Sequence, residues 1–154
     1  MTTIVVSKPT DISNNYLQQI VDLVVAGGQI QRRGLREKIL QADYTAFKLQ
    51  DKNIICTATL KNPKPSYRTK IFNQAKVMAS LKYEKELGYI VTNSDFEGNG
   101  HCKDLLKNFI PKISNQLIFA TTRKPSMVHI LAKFGFHQTG KTYYNDLQLL
   151  TNTI

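Results

Sequence analysis

The feature that most constrains this chain is the stretch "ELGYIVTNSDFEGNGHCKDLL", residues 86–106. An apolar, strand-type segment over 86–93 leads into a loop with two glycines, and an amphipathic helical pattern follows at once. Glycine lets the backbone turn where other residues cannot, and the first amides of a helix have no internal partner. The stretch therefore predicts a strand, a tight loop and a helix whose N-terminus can receive an anion.

The loop by itself identifies no particular ligand. A P-loop needs Lys followed by Ser or Thr after its glycines, and this chain has no such pair there. The dinucleotide-binding fingerprint needs a third glycine at the position that Lys103 occupies. Two interpretations stay open from the residues alone. Either Gly98 and Gly100 allow the amides up to Lys103 to face a phosphate, or they only make a tight turn between strand and helix.

The remaining sequence alternates between strand and helix patterns. The segment 62–68, "NPKPSYR", is predicted to be a loop, and 68–81 has weak helical character. The order of the elements predicts a mixed α/β sheet in a single domain over residues 1–154. Strands are predicted over 3–7, 44–50, 54–61, 86–93 and 116–122, with further strands within 136–151, and helices within 11–28, over 31–43, from 102 to about 113 with Pro111 kinking or ending it, and over 124–135.

The net charge of +10 is concentrated in residues 61–85, which hold seven Lys or Arg and one acid. A concentrated cationic patch attracts anions better than the same charge spread out. Tyr67, Phe72 and Tyr83 are interleaved with these cations, as in surfaces that bind nucleic acid. Arg68 and Tyr67 are the candidates for binding substrate. The partner would be an acidic acceptor, an acidic protein or nucleic acid, and the alternative is a solvated surface without a ligand.

The cysteines and histidines predict neither a disulfide framework nor a metal site. Cys56 and Cys102 match no zinc spacing, and the three histidines are scattered. The sequence has no apolar run long enough to span a membrane and no secretion signal at its N-terminus. We therefore expect a protein of the reducing cytoplasm.

Two stretches, "ELGYIVTNSDFEGNGHCKDLL" and "LIFATTRKPSMVHILAKFGFHQTG", resemble the acetyl-CoA-binding half of the GCN5-related N-acetyltransferases (GNAT). The resemblance covers about residues 86–140. It implies a mixed, mostly antiparallel central sheet flanked by helices, and acetyl-CoA as co-substrate. It also implies a slot for the pantetheine arm between the strands 86–93 and 116–122. The coenzyme-binding residues that it implies are Val91, Thr92, Glu97, Gly98, Asn99, Gly100, His101, Cys102, Lys103 and Lys124.

The chain departs from the GNAT pattern at residues that matter for chemistry. Glu97 stands where the family has Gln or Arg, and Leu131 stands where it has a catalytic tyrosine. The resemblance implies Glu86 as the general base. Tyr144 is the candidate acid, with the neighbouring Tyr143 as a further substitute. Surface or packing roles are the alternatives for all three. His129 is more typical of a surface or capping residue.

The resemblance implies an acyltransferase that moves an acetyl group from acetyl-CoA directly to an amine acceptor. The acceptor class stays open between a small molecule, a protein and a nucleic-acid base. The alternative is a protein of the same fold that binds or modifies nucleic acid through the basic segment 61–85.

Overall fold

The computed structural model describes residues 1–153. The strands are β1 (Thr2–Ser7), β2 (Tyr44–Gln50), β3 (Asn53–Lys61), β4 (Lys85–Thr92), β5 (Ile118–Thr122), β6 (Phe136–Gln138) and β7 (Gln148–Asn152). The helices are α1 (Asn14–Ala26), α2 (Leu35–Leu40), α3 (Pro65–Gln74), α4 (His101–Ile113) and α5 (Pro125–Ala132). Short 3-10 turns lie at 9–11, 80–82, 94–96 and 144–146.

The strands form one seven-stranded sheet in the order β1-β2-β3-β4-β5-β7-β6. β1 with β2, β2 with β3, β5 with β7 and β6 with β7 are antiparallel. β4 and β5 pair in parallel at Lys85 with Ile118 and at Glu86 with Phe119. The predicted mixed, mostly antiparallel sheet with flanking helices is confirmed. Within residues 1–153, no helix is long and apolar enough to cross a membrane.

The chain divides into two compact units, which we call the first and the second unit. The first unit comprises residues 1–61 and 88–112, and the second comprises residues 62–87 and the chain from 113 onward. The prediction of a single domain over residues 1–154 stays a prediction.

The core of the first unit is built by the apolar stripe of α1. Ser13 caps this helix, because its Oγ accepts a hydrogen bond from the Tyr16 amide at 3.2 Å. The stripe recurs every three or four residues, as the sequence predicted, and each fully buried Leu or Ile contributes about 1.5–3 kcal/mol. The buried cluster consists of Leu17, Ile20, Val21, Leu23, Val24, Leu35, Ile39, Phe47, Ile54 and Tyr89.

A strained residue lies inside β4, in the part of this strand that belongs to the first unit. Tyr89 has a φ of 50°, in the left-handed region, although it is neither glycine nor in a turn. Such a conformation costs about 1–3 kcal/mol and persists only where the surroundings hold it. Tyr89 is buried, and Lys61 Nζ lies 4.3 Å from the centroid of its ring. Packing and this cation–π contact therefore hold the irregularity in place.

The core of the second unit is aromatic. Phe72 on α3 meets Phe119 edge-on at a centroid distance of 5.3 Å and stacks on Tyr83 at 5.6 Å. Ile71, Ala75 and Leu149 complete this buried cluster.

Three sequence predictions need correction. The segment 62–68 is not a loop throughout, since α3 begins at Pro65, where the first helical position needs no N–H donor. The helix predicted over 31–43 is shorter, because Gly34 adopts a left-handed φ of 74° and the helix begins after it. Pro111 does not end α4, which continues to Ile113.

Candidate functional site

The glycine loop keeps open space over its two glycines. Gly98 has a φ of 80° and Gly100 a φ of 78°, in the left-handed region that costs other residues about 1–2 kcal/mol. A Cβ added to either glycine would meet no atom within 4 Å. The Asn99 side-chain amide donates to the carbonyls of Phe96 and Glu97, both at 3.3 Å. The loop is therefore fixed by its own hydrogen bonds while the space above it stays clear.

The start of α4 directly after this loop has the features of an anion site. The Asp104 amide donates to the Gly100 carbonyl at 3.0 Å, so the amides of residues 101–103 lie at the N-terminal, positive end of the helix. Lys103 is exposed, and so is the Glu97 side chain. His101 Nδ1 is buried and has no hydrogen-bond partner within residues 1–153. Amides, open space and a lysine are thus available to a phosphate group.

An ion pair compensates the acid in the first turn of α4. Lys48 Nζ lies 2.8 Å from Asp104 Oδ2, and the Lys48 side chain is only 6% exposed against 49% for Asp104. A lone carboxylate at this position would repel an anion on the neighbouring amides. Because Lys48 pairs with Asp104, the negative charge is largely offset where an anion would bind.

The end of β4 is tied to the remaining parts of the first unit by side chains. Cys56 Sγ lies 3.3 Å from Thr92 Oγ1. A hydrogen bond from Cys102 lowers the pKa of the Cys56 thiol, against burial, which raises it. Val91 packs against the core of the first unit. The backbone roles predicted for Val91 and Thr92 toward a pantetheine arm stay predictions.

The second unit contains a buried carboxylate at the start of β4. Glu86 is only 3% exposed, and Tyr67 Oη donates to Glu86 Oε2 at 3.2 Å. Burial, and then the negative charge of Glu86, raise the pKa of Tyr67 well above its ordinary value, whereas a hydrogen bond with Thr121 lowers it in part. Tyr67 therefore keeps its proton and holds one oxygen of Glu86 in place. The sequence had marked both residues, but for separate roles.

Tyr143 also lies in the electrostatic field of Glu86. Burial and then the charge of Glu86 raise the pKa of Tyr143 to about 12, with Arg123 acting in the opposite direction. The Tyr143 hydroxyl is buried and has no hydrogen-bond partner in the described part of the chain. Tyr144, the acid candidate from the sequence, is 68% exposed in the 3-10 turn. The role of Tyr144 stays a prediction, whereas the charge of Glu86 acts on Tyr143.

A groove of about 300 Å³ opens beside α3 in the second unit. Two residues that the sequence had marked, Tyr67 and Tyr144, both line it. One lining residue, Tyr67, connects the groove to the buried carboxylate through its hydrogen bond to Glu86. The lining consists of Tyr67, Lys70, Ile71, Gln74, Tyr144 and Leu147.

The basic segment 61–85 is not a continuous exposed stripe. Phe72 is fully buried and Tyr83 stacks on it, so two of the three interleaved aromatic rings belong to the core. Arg68 is buried as well. Base stacking needs exposed rings, and this arrangement does not favour it.

The region of α5 holds the remaining candidates. Lys124 precedes the helix, is exposed, and donates its amide to Thr122 Oγ1 at 3.0 Å. Leu131 is buried in the position where the resemblance placed the missing tyrosine, and His129 is exposed. Among residues 1–153, no group of three or more His, Cys, Asp or Glu side chains could hold a metal ion.

Comparison with known proteins finds relatives by structure only. No family model and no curated protein matches the sequence. Escherichia coli ElaA matches with a TM-score of 0.75 at 10% identity, covering 99% of this chain and all of ElaA. A GNAT-family acetyltransferase from Streptococcus agalactiae matches with a TM-score of 0.68 at 16% identity, covering 98% and 95% of the two chains.

Arabidopsis thaliana Naa50, solved with the bisubstrate analogue CoA-Ac-MVNAL, has a TM-score of 0.67 at 13% identity. The match covers 98% of this chain and 99% of the Naa50 chain. This chain has the GNAT fold. The resemblance that the sequence showed over residues 86–140 is thus confirmed for the fold, and the match extends over nearly the whole chain. Because these identities are low, the roles of residues in this GNAT fold rest on its own geometry.

Proposed function

We propose that this protein is an acetyl-CoA-dependent N-acetyltransferase that transfers the acetyl group directly to an amine. The observation that carries the proposal is the buried Glu86 with Tyr67 and Tyr143 around it. Burying a carboxylate is costly, and such groups concentrate at functional sites. A protein that only bound the coenzyme would need the glycine loop and would have no use for this acid–base cluster.

The residues of the glycine loop fit the coenzyme. The amides from Gly98 to Lys103 would hold the pyrophosphate, and the side chain of Lys103 would add positive charge. Lys124 stays the further coenzyme-binding candidate that the resemblance implies. Glu97, an acid beside a pyrophosphate, is acceptable because its side chain is exposed and only its backbone is needed. Bound acetyl-CoA supplies the acetyl group as a reactive thioester.

The side chains of the second unit perform the proton transfers. Glu86 accepts the proton that the amine loses, and Tyr67 keeps the carboxylate oriented through its hydrogen bond to Oε2. Tyr143, whose pKa is raised to about 12, holds its proton at neutral pH and would stabilise the departing thiolate by donating a hydrogen bond from Oη to the sulfur as the C–S bond breaks. The amide bond forms as that bond breaks, so no covalent enzyme intermediate is needed.

The alternative of a nucleic-acid-binding protein gains nothing from the structure. On its proposed surface Phe72 is buried, and Tyr83 is partly buried because it packs against the same cluster. We therefore retain only the acetyltransferase.

Calorimetric titration of CoA and acetyl-CoA tests the coenzyme part of the proposal. Asparagine tolerates a left-handed backbone, so Gly100→Asn places a side chain in the open space with little strain. We expect its coenzyme affinity to fall by about tenfold or more, the effect of losing about one charge-assisted hydrogen bond. Gly28→Asn is the matched control, since Gly28 has a φ of 83° and equally open surroundings. Equal affinities of both variants and the wild type would refute the loop's role.

A further inference from the structure

Arg68 on α3 is a buried cation that has no partner among the described residues 1–153. It is 9% exposed, and its Nε is buried with no hydrogen-bond partner. Within residues 1–153 its guanidinium makes no hydrogen bond, ion pair or aromatic contact. A guanidinium stays charged in proteins, and a buried charge without a counter-ion is destabilising. A residue kept in this state at a cost in stability indicates a ligand that supplies the missing anion.

The surroundings of Arg68 add positive charge. Arg68 lies in the first turn of α3, where the helix dipole is positive. This turn holds no acidic residue, and the Lys64 side chain does not cap it. Lys70 follows on the next turn. The first turn of α3 thus has no carboxylate of its own to compete with an anion, and Lys70 places a further cation on the groove beside this helix.

We propose that Arg68 binds a carboxylate of the acceptor, so that the acceptor is an amino acid or another amine that carries a carboxylate. This inference rests on the proposed function. Tyr67, the residue before Arg68, reaches the carboxylate that would accept the amine's proton. Tyr67 and Arg68 are consecutive residues in the first turn of α3, so one acceptor could contact both only where their two neighbouring faces meet. Since only Nε is sealed, the two Nη atoms remain to make the paired hydrogen bonds that a planar carboxylate accepts.

The first experiment compares pairs of acceptors that differ only in the carboxylate, such as L-phenylalanine with 2-phenylethylamine and L-leucine with 3-methylbutylamine. We expect the wild type to prefer the amino acid by about 30-fold in kcat/KM, the size of one charge-assisted pair. Arg68→Gln should abolish this preference and Arg68→Lys should retain part of it. Arg33→Gln, which removes an exposed arginine, is the control. The proposal would be overturned if the wild type had equal kcat/KM for the two members of a pair. It would also be overturned if Arg68→Gln lowered kcat/KM equally for the amino acid and for the amine without a carboxylate.

The second experiment needs no turnover. If Arg68 only supports the fold, Arg68→Met should melt at a lower temperature than the wild type. If Arg68 instead binds a ligand, Arg68→Met without ligand should melt at the same temperature as the wild type or at a higher one, because an uncompensated buried charge has been removed. Binding of N-acetyl-L-phenylalanine, measured by calorimetry, should be lost in Arg68→Gln. A lower melting temperature together with unchanged binding would refute the assignment.

Further titrations show whether the anion at Arg68 comes from the acceptor or from the coenzyme. They also distinguish a failure of the carboxylate site from a failure of the proposed acetyltransferase activity. If removing the 3′-phosphate from CoA weakens binding to the wild type but not to Arg68→Gln, Arg68 holds a coenzyme phosphate and the proposal is wrong. Inorganic phosphate that binds in preference to the carboxylate would point the same way. If no amine is acetylated but N-acetyl-L-phenylalanine binds through Arg68, the acetyltransferase proposal fails while the carboxylate site stands.

Discussion

The glycine loop of the first unit and the Glu86 cluster of the second unit are built in opposite ways. The loop offers backbone amides, and its side chains either stay exposed or, like Asn99, bind the loop's own carbonyls. The cluster offers side chains from separate stretches of the chain, with Tyr67, Glu86 and Tyr143 brought together by folding. A backbone site tolerates changes of side chain, whereas a side-chain site does not. The glycine loop matches the GNAT pattern in its two glycines, whereas Leu131 stands where that pattern has a tyrosine.

The contrast between the backbone loop and the side-chain cluster is tested most strongly by a substitution of Glu86. Glu86→Gln should lower kcat by about 10²–10³-fold, as expected for loss of a general base, and leave coenzyme affinity unchanged. Steady-state kinetics across pH, together with calorimetry of CoA, measures both quantities. Glu84→Gln, which changes an exposed acid two residues away, is the control. Turnover within about twofold of the wild type at all pH values would exclude Glu86 as the base.

Two adjacent tyrosines provide the next test. Tyr143→Phe should lower kcat by about tenfold, since the hydroxyl near Glu86 is lost, whereas Tyr144→Phe should stay within about twofold. Both substitutions remove one hydroxyl and keep the ring, so each is the matched control of the other. The opposite ranking would return the acid role to Tyr144 and show that the electrostatics of Glu86 do not identify the donor.

The backbone site depends on the side chains that support it. Asp104→Asn leaves Lys48 buried without its counter-charge, and we expect the free energy of unfolding to fall by about 1–2 kcal/mol. This value is lower than for a fully buried pair, because Asp104 is half exposed. Urea unfolding measures the difference, with the exposed Asp95→Asn as control. A loss no larger than that of the control would mean that the ion pair does not stabilise the start of α4.

The smallest effect is expected in alkaline titration. The folded pKa of Tyr143 is raised to about 12 from an ordinary value near 10. A group with a raised pKa contributes stability that is present below pH 10 and is lost as the pH rises towards 12. Stability should therefore decline over this range more in the wild type than in Tyr143→Phe. Denaturant unfolding at several pH values, with phenolate absorbance, checks the sign. Parallel declines would show that Tyr143 titrates normally.

The sequence predicted the parts of the molecule that depend on local pattern. The helix α1, the strands β2 and β3, and the turn at Gly98 and Gly100 follow from neighbouring residues. The beginning of α3 was missed because "NPKPSYR" has the composition of a loop, although a proline at the first helical position is compatible with a helix. The length of α2 was missed because Gly34 fits both a helix interior and its boundary.

The candidate site was less predictable for a physical reason. Which face of α3 brings Tyr67 to Glu86 depends on packing between residues far apart in sequence. The choice between Tyr143 and Tyr144 depends on the backbone that follows them. Asn145 and Asp146 both have left-handed φ angles, of 51° and 61°. Asn and Asp are the residues that most readily adopt this conformation, so "YYND" was a signal for a turn rather than for a continuous strand.

The left-handed Tyr89 has a consequence for how β4 can change during evolution. Side chains along a strand alternate between the two faces of the sheet, so every second side chain lies on the same face. A left-handed residue inside a strand is typical of a bulge, which shifts this alternation by one position. A bulge at Tyr89 would place Glu86 and Thr92 on opposite faces of β4, although their positions differ by six. A one-residue insertion or deletion on either side of Tyr89 would exchange the two faces on that side alone.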